Sequence, residues 1–280
     1  MIHVKKAFVI GYPIKHSRSP LIHGHWLAEH GIDGSYEPIE VAPADLPAFL
    51  DRIRSGEFVG GNVTVPHKEE AYRLVDFRDL DTDHLKAFNT LSQQQTADGI
   101  AIYGQNTDLY GFLANLDQEA PGWDANVENA IVLGAGGAAR AVAAALALRV
   151  SGRVRVLNRT LDRALALADD LRGGIDGHAL DAFPILAPDT QLVVNTTTIG
   201  MHGTRFENLD LSLLPKSALV TDIVYVPLVT PLLADAQALG LRTVYGLGML
   251  LHQAVPGFEA WFGVRPEVTP ALRAKIEATL

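Results

Sequence analysis

Short apolar runs alternate with stretches of helical periodicity along most of the chain, and this alternation predicts an α/β fold. In the first part, the apolar runs predict strands at residues 7–11, 35–41, 58–65, 90–94 and 100–103. The helical stretches between them lie at residues 20–30, 45–56 and 68–74. This order of elements favours a sheet that is covered by helices.

A second series of the same kind begins near residue 129, after a loop that contains Pro121 and Gly122. Its strands are predicted at residues 130–133, 154–157, 192–195 and 219–223, with helices at 138–150 and 162–171. The end of the chain is predicted to be helical at residues 249–262 and 269–279. The second series therefore indicates a second domain.

A glycine-rich turn follows the first strand of the second series. The segment Gly134-Ala135-Gly136-Gly137-Ala138-Ala139 has the pattern G-x-G-x-x-A between an apolar run and a helix. In this setting the first glycine permits a tight turn, the second lets the backbone approach a pyrophosphate, and the last small residue permits close helix packing. The helix N-terminus also offers N–H groups and partial positive charge to phosphates. The segment predicts a dinucleotide site, although glycine-rich turns also occur for structural reasons alone.

The end of the next strand indicates which dinucleotide binds. NAD sites usually have Asp or Glu about 20 residues beyond the glycines, where it bonds to the ribose 2′-hydroxyl. Here the strand ends in Asn158-Arg159-Thr160 instead, with Arg163 one turn further on. A guanidinium and a hydroxyl suit a 2′-phosphate, which a carboxylate would repel. We therefore expect NADP, and the alternative is that Arg159 is only a solvated residue at a helix start.

Composition narrows the class of protein further. The chain has 23 Lys and Arg against 32 Asp and Glu, for a formal net charge of −9, whereas nucleic-acid binders normally show a basic patch. It has no Cys, which excludes disulfides, thiolate metal sites and cysteine nucleophiles. Its 10 His show no metal-ligand spacing, so we expect no metal. Because no long apolar segment suits a signal peptide or a membrane span, we expect a cytoplasmic protein with no membrane or nucleic-acid partner.

Polar residues cluster where strands of the first half are expected to end. Ser17 and Ser19 lie between the first strand and the first helix, where they could simply be turn and N-cap residues, and for Ser19 alone this is the better explanation. Lys68 follows an apolar strand and a proline, whereas a single lysine is normally a solvated surface charge. Asn89-Thr90 and Asn106-Thr107-Asp108 are similar polar segments next to strand-like runs.

Together, these segments resemble those of the shikimate dehydrogenase family, which includes shikimate/quinate dehydrogenases. The resemblance extends in the family's order over nearly the whole chain. Its blocks are residues 11–20, 62–68, 89–91, 106–108, 134–139, 158–160, 195–197, 199–201, 222–233 and 246–254. Departures are small: Phe88 replaces a small aliphatic residue before Asn89, and Gln105 stands where an acidic or aromatic residue is frequent. Of these, Phe88 is the one expected to affect how Asn89 is presented.

The resemblance implies two α/β domains with the active site in the cleft between them. Residues 1–107 and 242–280 would form the substrate domain, and residues 108–241 a Rossmann-type, doubly wound parallel sheet that binds NADP. The implied reaction is the reversible reduction of 3-dehydroshikimate to shikimate with NADPH, in the route to chorismate and the aromatic amino acids. The sequence leaves open whether the chain is a monomer or a homodimer.

The resemblance also implies roles for single residues, with Lys68 and Asp108 as the catalytic pair. The residues expected to bind the substrate are Ser17, Ser19, Thr64, Lys68, Asn89, Asp108, Tyr225 and Gln253. Those expected to bind NADP are Gly134, Ala135, Gly136, Gly137, Ala138, Asn158, Arg159, Thr160, Arg163, Thr196, Thr197, Ile223, Tyr225, Gly246 and Met249.

The chemistry of these residue types suits such a reaction. Hydride attack on a ketone carbon produces an alkoxide, and a lysine ammonium can supply both the proton and a nearby positive charge. A carboxylate within reach would orient that ammonium. Asn, Thr and Gln suit a polyol, because a buried side chain that reads one hydroxyl rejects an analogue that lacks it.

Two other functions remain open on the sequence. A quinate- or aminoshikimate-type dehydrogenase would share the pocket but differ near Ser17 and Thr64 and in its cofactor, although Arg159 disfavours an NAD-linked enzyme. A non-catalytic NADP-binding sensor or repressor would be expected to lack Lys68 or Asp108, or to carry a DNA-binding module, but both residues are present.

Overall fold

The structure, a computed structural model, describes residues 4–280, which form two compact units. The first unit contains the described residues up to Thr107 together with Gln253–Thr279, and the second contains Asp108–His252. Residues 1–3 of the expected first domain lie outside the described residues. The later change of unit falls after residue 252 and not after residue 241, because the strand at residues 242–244 pairs within the second sheet.

A mixed six-stranded sheet forms the first unit. Its strands are β1 (Lys5–Gly11), β2 (Gly34–Glu40), β3 (Gly60–Val63), β4 (Phe77–Arg78), β5 (Thr90–Thr96) and β6 (Gly99–Gln105), in the order β2-β1-β3-β5-β6-β4. The strand β1 is parallel to β2 and β3, whereas β5 is antiparallel to β3 and β6. The helices α1 (Ser19–Glu29), α2 (Leu46–Arg54) and α3 (Lys68–Leu74) follow β1, β2 and β3 along the chain.

The helical spacing of apolar residues explains how α2 covers this sheet. Leu46, Leu50 and Ile53 recur on one face of the helix, and all three are fully buried. They share a core with Phe8 and Ile10 of β1, which point to the same face of the sheet because side chains alternate along a strand. This core fixes the strands whose ends carry the polar segments.

A parallel six-stranded sheet forms the second unit. Its strands are β7 (Ala130–Leu133), β8 (Val154–Asn158), β9 (Ile175–Ala179), β10 (Leu192–Asn195), β12 (Leu219–Asp222) and β13 (Arg242–Val244), while the short β11 (Ile199–His202) is not part of it. The order β13-β12-β10-β7-β8-β9 reverses its direction between β7 and β10, as in dinucleotide-binding folds. The helices of this unit are α4 (Asp108–Glu119), α5 (Gly137–Ala147), α6 (Leu161–Leu171), α7 (Phe183–Leu186) and α8 (Pro231–Ala238). The helix α9 (Leu247–Phe262) begins in the second unit and continues from Gln253 in the first, where α10 (Pro270–Glu277) follows.

Helices cover both faces of the second sheet, because alternate residues of β7 enter different cores. Ala130 and Val132 pack in a core to which α5 contributes its alanines and Leu146. Ile131 and Leu133 pack in a second core with Leu232 and Leu233 of α8, among others. The expected doubly wound parallel sheet is confirmed, and its strands are apolar on both faces as such sheets require.

Most predicted elements agree with the observed ones except at their ends. The strand predicted at residues 58–65 is shortened to β3, because the chain turns after Val63 and leaves Val65 69% exposed. The helix predicted at residues 138–150 ends at Ala147. The sequence did not predict β9, whose five residues include Asp176, Gly177 and His178 and show no apolar alternation.

A fully buried histidine lies among aromatic rings in the first unit. The ring of His23 is stacked on Tyr36 at a centroid distance of 4.0 Å, and lies 5.7 Å from Trp26 and 5.9 Å from Phe258. Burial lowers the pKa of His23 to about 3, against a smaller raising effect of the Asn62 side chain. The histidine is therefore neutral in the folded protein at pH values where an unfolded chain would protonate it.

This difference predicts a pH-dependent stability. Below an unfolded pKa of 6.5 the unfolded chain binds one proton more than the folded chain at His23, so the free energy of unfolding falls as the pH decreases towards about 3. The slope from this group approaches about 1.4 kcal/mol per pH unit. We expect His23→Phe, which keeps the stacked ring, to remove this contribution in urea unfolding measured between about pH 4 and 7. The exposed His84, changed to Gln, serves as the control, and equal slopes for His23→Phe and the unchanged protein would refute the assignment.

Candidate active site

One edge of the first sheet gathers its polar segments. The parallel strands β1 and β3 end there together, since Ile10 pairs with Val63. The antiparallel β5 begins at the same edge, because Asn62 pairs with Thr90, and β6 ends there, because Thr90 pairs with Gln105. The loops that follow β1, β3 and β6, and the segment before β5, therefore lie side by side. They carry the substrate residues expected between residues 17 and 107.

The turn after β3 presents Thr64 next to the end of β1. Gly11 permits this close approach, because a Cβ at Gly11 would lie 2.7 Å from Thr64 Cγ2 and 3.1 Å from the Val65 carbonyl oxygen. The same carbonyl accepts a hydrogen bond from the Tyr12 N–H at 3.1 Å, and the Thr64 N–H donates to the Ile10 carbonyl at 2.9 Å. Backbone bonds thus hold the turn on β1.

His67 holds the start of α3, where Lys68 is the first helical residue. His67 is only 2% exposed, and its Nε2 donates to the Val41 carbonyl at 2.8 Å. Lys68 is half-buried, and its carbonyl accepts from the Phe88 N–H at 3.0 Å. Because Phe88 is fully buried in the core, it does not displace its neighbour Asn89 from the network described next. The backbone of Lys68 is therefore anchored on both sides.

Asn89 lies at the centre of a buried hydrogen-bond network. Its Oδ1 accepts from the Thr107 N–H at 2.7 Å, and its Nδ2 donates to Thr107 Oγ1 at 3.0 Å and to Gln253 Oε1 at 3.2 Å. The hydroxyls of Thr90 and Thr107 are 3.0 Å apart. These bonds fix which end of the Asn89 amide faces each neighbour. Two of the expected substrate residues, Asn89 and Gln253, are thus in direct contact.

A second layer of polar residues supports this network from behind. The Tyr36 hydroxyl donates to Asn62 Oδ1 at 2.6 Å, and Asn62 Nδ2 donates to the Asn89 carbonyl at 3.2 Å and to Thr90 Oγ1 at 3.1 Å. Burial raises the pKa of Tyr36 well above its ordinary value, against a smaller lowering effect of Ser19, so the hydroxyl keeps its proton and stays a donor. Sequence analysis gave Tyr36, in β2, and Asn62, in β3, no role. Every residue of β3 is buried, so the pattern of that strand does not single out Asn62.

Ser17 and Ser19, which are both expected to bind the substrate, lie just before and at the start of α1. Ser19 is the first residue of the helix and 6% exposed, and its N–H donates to Ser17 Oγ at 3.3 Å. Arg18 occupies the N-cap position, so the N-cap explanation of Ser19 is wrong. Arg18 Nη2 also donates to the Thr279 carbonyl at 2.7 Å, which holds the serine loop against the end of the chain.

The carboxyl edge of the second sheet gathers the segments expected to bind the dinucleotide. Leu133 pairs with Leu157 and with Asn195, and Asn195 pairs with Asp222, so β7, β8, β10 and β12 end in register. The segments after these strands leave the sheet at one edge, at the point where the strand order reverses. Open α/β sheets bind their ligands at this position.

The glycine turn after β7 fits a pyrophosphate. Gly134 has a φ of +108°, and a Cβ there would lie 2.8 Å from Thr197 Cγ2 and 2.9 Å from Thr196 Oγ1, so only glycine is compatible with this turn. Gly136 and Gly137 are exposed, and a Cβ at either would have no atom within 4 Å. Space is therefore open at the N-terminus of α5, which has no acidic residue in its first turn. Phosphate groups can approach the backbone N–H groups there.

The end of β8 carries a donor set that fits a 2′-phosphate. Asn158 Nδ2 donates to the Thr160 carbonyl at 2.8 Å, which orders the turn into α6. Arg159, Thr160 and Arg163 are all exposed, so two guanidinium groups and a hydroxyl are available at the same turn. The residues fit the phosphate of NADP better than the bare ribose of NAD.

The remaining expected cofactor residues lie after β12 and β13. Ile223 and Tyr225 are half-buried in the loop that follows β12. A Cβ at Gly246 would lie 2.7 Å from the carbonyl carbon of Ile223, so this loop packs directly on Gly246. Met249 is 8% exposed and packs in the core of the second unit.

The expected catalytic residues occupy the first positions of two different helices. Lys68 begins α3 in the first unit, and Asp108 begins α4 in the second. Asp108 is 7% exposed and directly follows Thr107, the partner of Asn89. The pairing of Lys68 with Asp108 stays a prediction.

The described residues contain neither a cluster that would hold a metal ion nor a helix that would cross a membrane. Among residues 4–280, no three His, Asp or Glu side chains lie together in a way that would hold a metal ion. Over the same residues, no helix combines the length and apolar character needed to cross a membrane.

Comparison with known proteins identifies the family. The shikimate dehydrogenase substrate binding domain matches residues 9–91, the shikimate/quinate 5-dehydrogenase family model matches residues 116–236, and the shikimate 5′-dehydrogenase C-terminal domain matches residues 246–274. The shikimate dehydrogenase (NADP(+)) of Chelativorans sp. is 57% identical over 275 residues, which cover 98% of this chain and 96% of that protein. This chain belongs to the shikimate dehydrogenase family.

Solved structures of shikimate and quinate dehydrogenases have the same fold. Shikimate 5-dehydrogenase from Thermus thermophilus, in complex with NADP(H) and shikimate, superposes with a TM-score of 0.83 at 34% identity over 99% of both chains. Quinate dehydrogenase from Corynebacterium glutamicum, in complex with NAD, gives a TM-score of 0.88 at 31% identity, again over 99% of both chains. The fold therefore does not separate the two activities, and the site residues must do so.

Proposed function

We propose that this shikimate dehydrogenase family member is an NADP-dependent enzyme that interconverts 3-dehydroshikimate and shikimate, a step towards chorismate and the aromatic amino acids. The identity of 57% with an NADP(+)-dependent shikimate dehydrogenase over 98% of the chain carries the proposal. The polar edges of the two sheets support it, because the edge of the first sheet supplies donors for the substrate and the edge of the second supplies donors for NADP.

The second unit holds the cofactor in this proposal. Backbone N–H groups at the start of α5 bind the pyrophosphate, and Arg159, Thr160 and Arg163 bind the 2′-phosphate. Thr196, Thr197, Ile223 and Tyr225 contact the nicotinamide half. NADPH, when bound, supplies the hydride.

The first unit holds the substrate. The hydroxyls of Ser17 and Ser19 bind its carboxylate, while Thr64, Asn89 and Gln253 bind the ring oxygens. The bonds of Asn89 to Thr107 and Gln253 fix the orientation of these amides, so less ordering is needed on binding. Such preorganised amides discriminate against analogues that lack a hydroxyl.

Lys68 transfers the proton. As hydride arrives at the carbonyl carbon of 3-dehydroshikimate, the Lys68 ammonium donates a proton to the oxygen, and the amine accepts it in the reverse reaction. Asp108 orients the ammonium and favours its charged form. The anchored backbone of α3 at His67 and Lys68 limits where the ammonium can reach.

An NAD-linked quinate dehydrogenase is not favoured. The donors at the end of β8 are two exposed arginines and no carboxylate follows Asn158 directly, which disfavours the bare ribose of NAD. The similarity to the Corynebacterium quinate dehydrogenase is 31% in sequence, against 57% to the shikimate enzyme of Chelativorans. The presence of both Lys68 and Asp108 likewise disfavours a non-catalytic sensor.

Lys68→Ala should lower kcat by about 100-fold or more, because a positioned general acid typically contributes at least that factor. The dissociation constant for shikimate, measured by titration without turnover, should rise by no more than about tenfold, as expected for one lost hydrogen bond. Lys275→Ala, at an exposed site on α10, should leave both values unchanged. A folded Lys68→Ala enzyme with unchanged kcat would remove Lys68 from the reaction.

Arg159→Ala should raise KM for NADP by about 10- to 100-fold, the factor expected for lost charge-assisted bonds to a phosphate. KM for NAD, which lacks that phosphate, should change by less than about twofold. Steady-state kinetics with both cofactors, and with the exposed Arg242→Ala as the control, provide the comparison. An equal rise for both cofactors would show that Arg159 does not read the 2′-phosphate.

A further inference from the structure

A buried carboxylate at the end of β12 joins three segments of the second unit. Asp222 is fully buried. Its Oδ1 accepts from Asn195 Nδ2 and from the Val224 N–H, both at 2.9 Å, and its Oδ2 accepts from the Thr230 hydroxyl at 2.7 Å. The three donors belong to the end of β10, the loop after β12 and the start of α8. One side chain therefore connects segments that are separate in the sequence.

The bond to Asn195 reaches the turn that borders the glycine loop. Asn195 Oδ1 accepts from the Thr197 N–H at 2.9 Å and from its hydroxyl at 2.8 Å, while Nδ2 also donates to the Ile199 carbonyl at 2.7 Å. The adjacent Thr196 donates to the Leu133 carbonyl at 2.7 Å, directly before Gly134. The orientation of the Asn195 amide thus determines the shape of this turn.

The bond to Val224 fixes the loop that carries Ile223 and Tyr225. Val224 lies between these two residues, and its N–H points at the carboxylate. On the other side of the loop, a Cβ at Gly246 would lie 2.4 Å from the Asp222 carbonyl oxygen and 2.7 Å from the Ile223 carbonyl carbon. The loop is consequently held from both sides at its first turn.

The bond to Thr230 fixes the far end of the same loop. Thr230 is the N-cap of α8, where its Oγ1 accepts from the Leu233 N–H at 3.4 Å while its hydrogen is directed to Asp222. Asp222 therefore holds the loop at residue 224 and again at residue 230. Packing alone would not need a carboxylate here, because a buried ion is costly and an apolar side chain of similar size would fill the space.

Three hydrogen bonds offset that cost. Desolvation raises the pKa of Asp222 above its ordinary value, and the bonds from Thr230, Val224 and Asn195 oppose this shift. All three groups are uncharged donors, so the carboxylate acts as a fixed set of acceptors. An apolar side chain at this position would remove these acceptors and the arrangement of the three donors around them.

We propose that Asp222 is a positioning residue for the reaction: its carboxylate holds the Ile223–Tyr225 loop in a fixed place relative to the Asn195–Thr197 turn, so that Tyr225 meets the nicotinamide and substrate in one geometry. The inference rests on the proposed function, which gives this loop its task. Asp222 itself touches neither ligand and acts through its three partners.

Two variants of Asp222 separate its hydrogen bonds from its bulk. Asp222→Leu removes every acceptor and keeps the number of side-chain heavy atoms, whereas Asp222→Asn keeps one oxygen for Asn195 and Val224 and can donate its amide to Thr230 Oγ1. In the cofactor-free protein, hydrogen exchange of the Val224 amide should be at least about tenfold faster in Asp222→Leu and near that of the unchanged protein in Asp222→Asn. This readout does not depend on bound cofactor or on activity.

The turnover number kcat should also distinguish Asp222→Leu from Asp222→Asn. Asp222→Leu should lower kcat by about 10- to 100-fold and weaken NADPH binding, measured by its fluorescence, because a displacement of about 1 Å near the reacting groups has effects of this size. KM for shikimate should change by a smaller factor than kcat, because Tyr225 is only one of the proposed substrate contacts and the network around Asn89 is untouched. Asp222→Asn should restore kcat to within about threefold.

If Asp222→Leu does not fold, the variants Thr230→Val and Thr269→Val test the positioning role instead. Thr230 and Thr269 are both N-caps that accept a helix N–H and precede a proline, but only Thr230 also donates to a buried carboxylate. Thr230→Val should accelerate exchange at Val224 and lower kcat by about 3- to 10-fold, whereas Thr269→Val should lower thermal stability with neither effect.

Two outcomes would overturn the positioning role. One is a folded Asp222→Leu enzyme with unchanged Val224 exchange and kcat, and the other is a Thr230→Val variant that behaves like Thr269→Val. Failure of the proposed function is a separate result, because the unchanged protein would then not reduce NADP with shikimate, while the exchange measurement would still report on the loop.

Discussion

Backbone pairing between strands determines where most of the proposed site residues lie. In the first unit, the pairing of Ile10 with Val63, of Asn62 with Thr90 and of Thr90 with Gln105 brings four polar segments to one edge. In the second, the pairing of Leu133 with Asn195 and of Asn195 with Asp222 does the same for the dinucleotide segments. Because a slip of one residue would turn each side chain to the opposite face, the apolar cores that fix the register also fix both sites.

The strand ends meet at a buried edge of each sheet. The polar side chains there must therefore form hydrogen bonds within the protein. They do so in networks of side-chain bonds, around Asn89 in one unit and around Asp222 in the other. Such networks are stable only when every member is satisfied, and they are then rigid. The same bonds that make burial of Asn62 and Asp222 tolerable thus orient the residues next to them, which is the condition for a preorganised site.

The sequence predicted those parts of the site that depend on local spacing. The glycine turn at Gly134 and the basic turn at Arg159 follow from patterns within a few residues of one another, whereas the doubly wound sheet was implied by the resemblance to the family. The networks could not be predicted in this way, because Asn89 and Gln253 are 164 residues apart and Tyr36 and Asn62 are 26 apart. Local pattern also left Ser19 open between an N-cap and a substrate-binding residue, and the structure gives the N-cap position to Arg18.

The most direct test of the account is a spectrophotometric assay of the purified protein that follows reduced nicotinamide with shikimate or quinate, each with NADP or NAD. We expect kcat/KM to be highest for shikimate with NADP, and to be lower by about 100-fold or more when either partner is exchanged, as for a site that reads a hydroxyl pattern and a phosphate. An equal or higher kcat/KM with quinate would contradict the role of the first sheet's edge in binding shikimate. An equal or higher kcat/KM with NAD would contradict the role of the second sheet's edge in binding NADP.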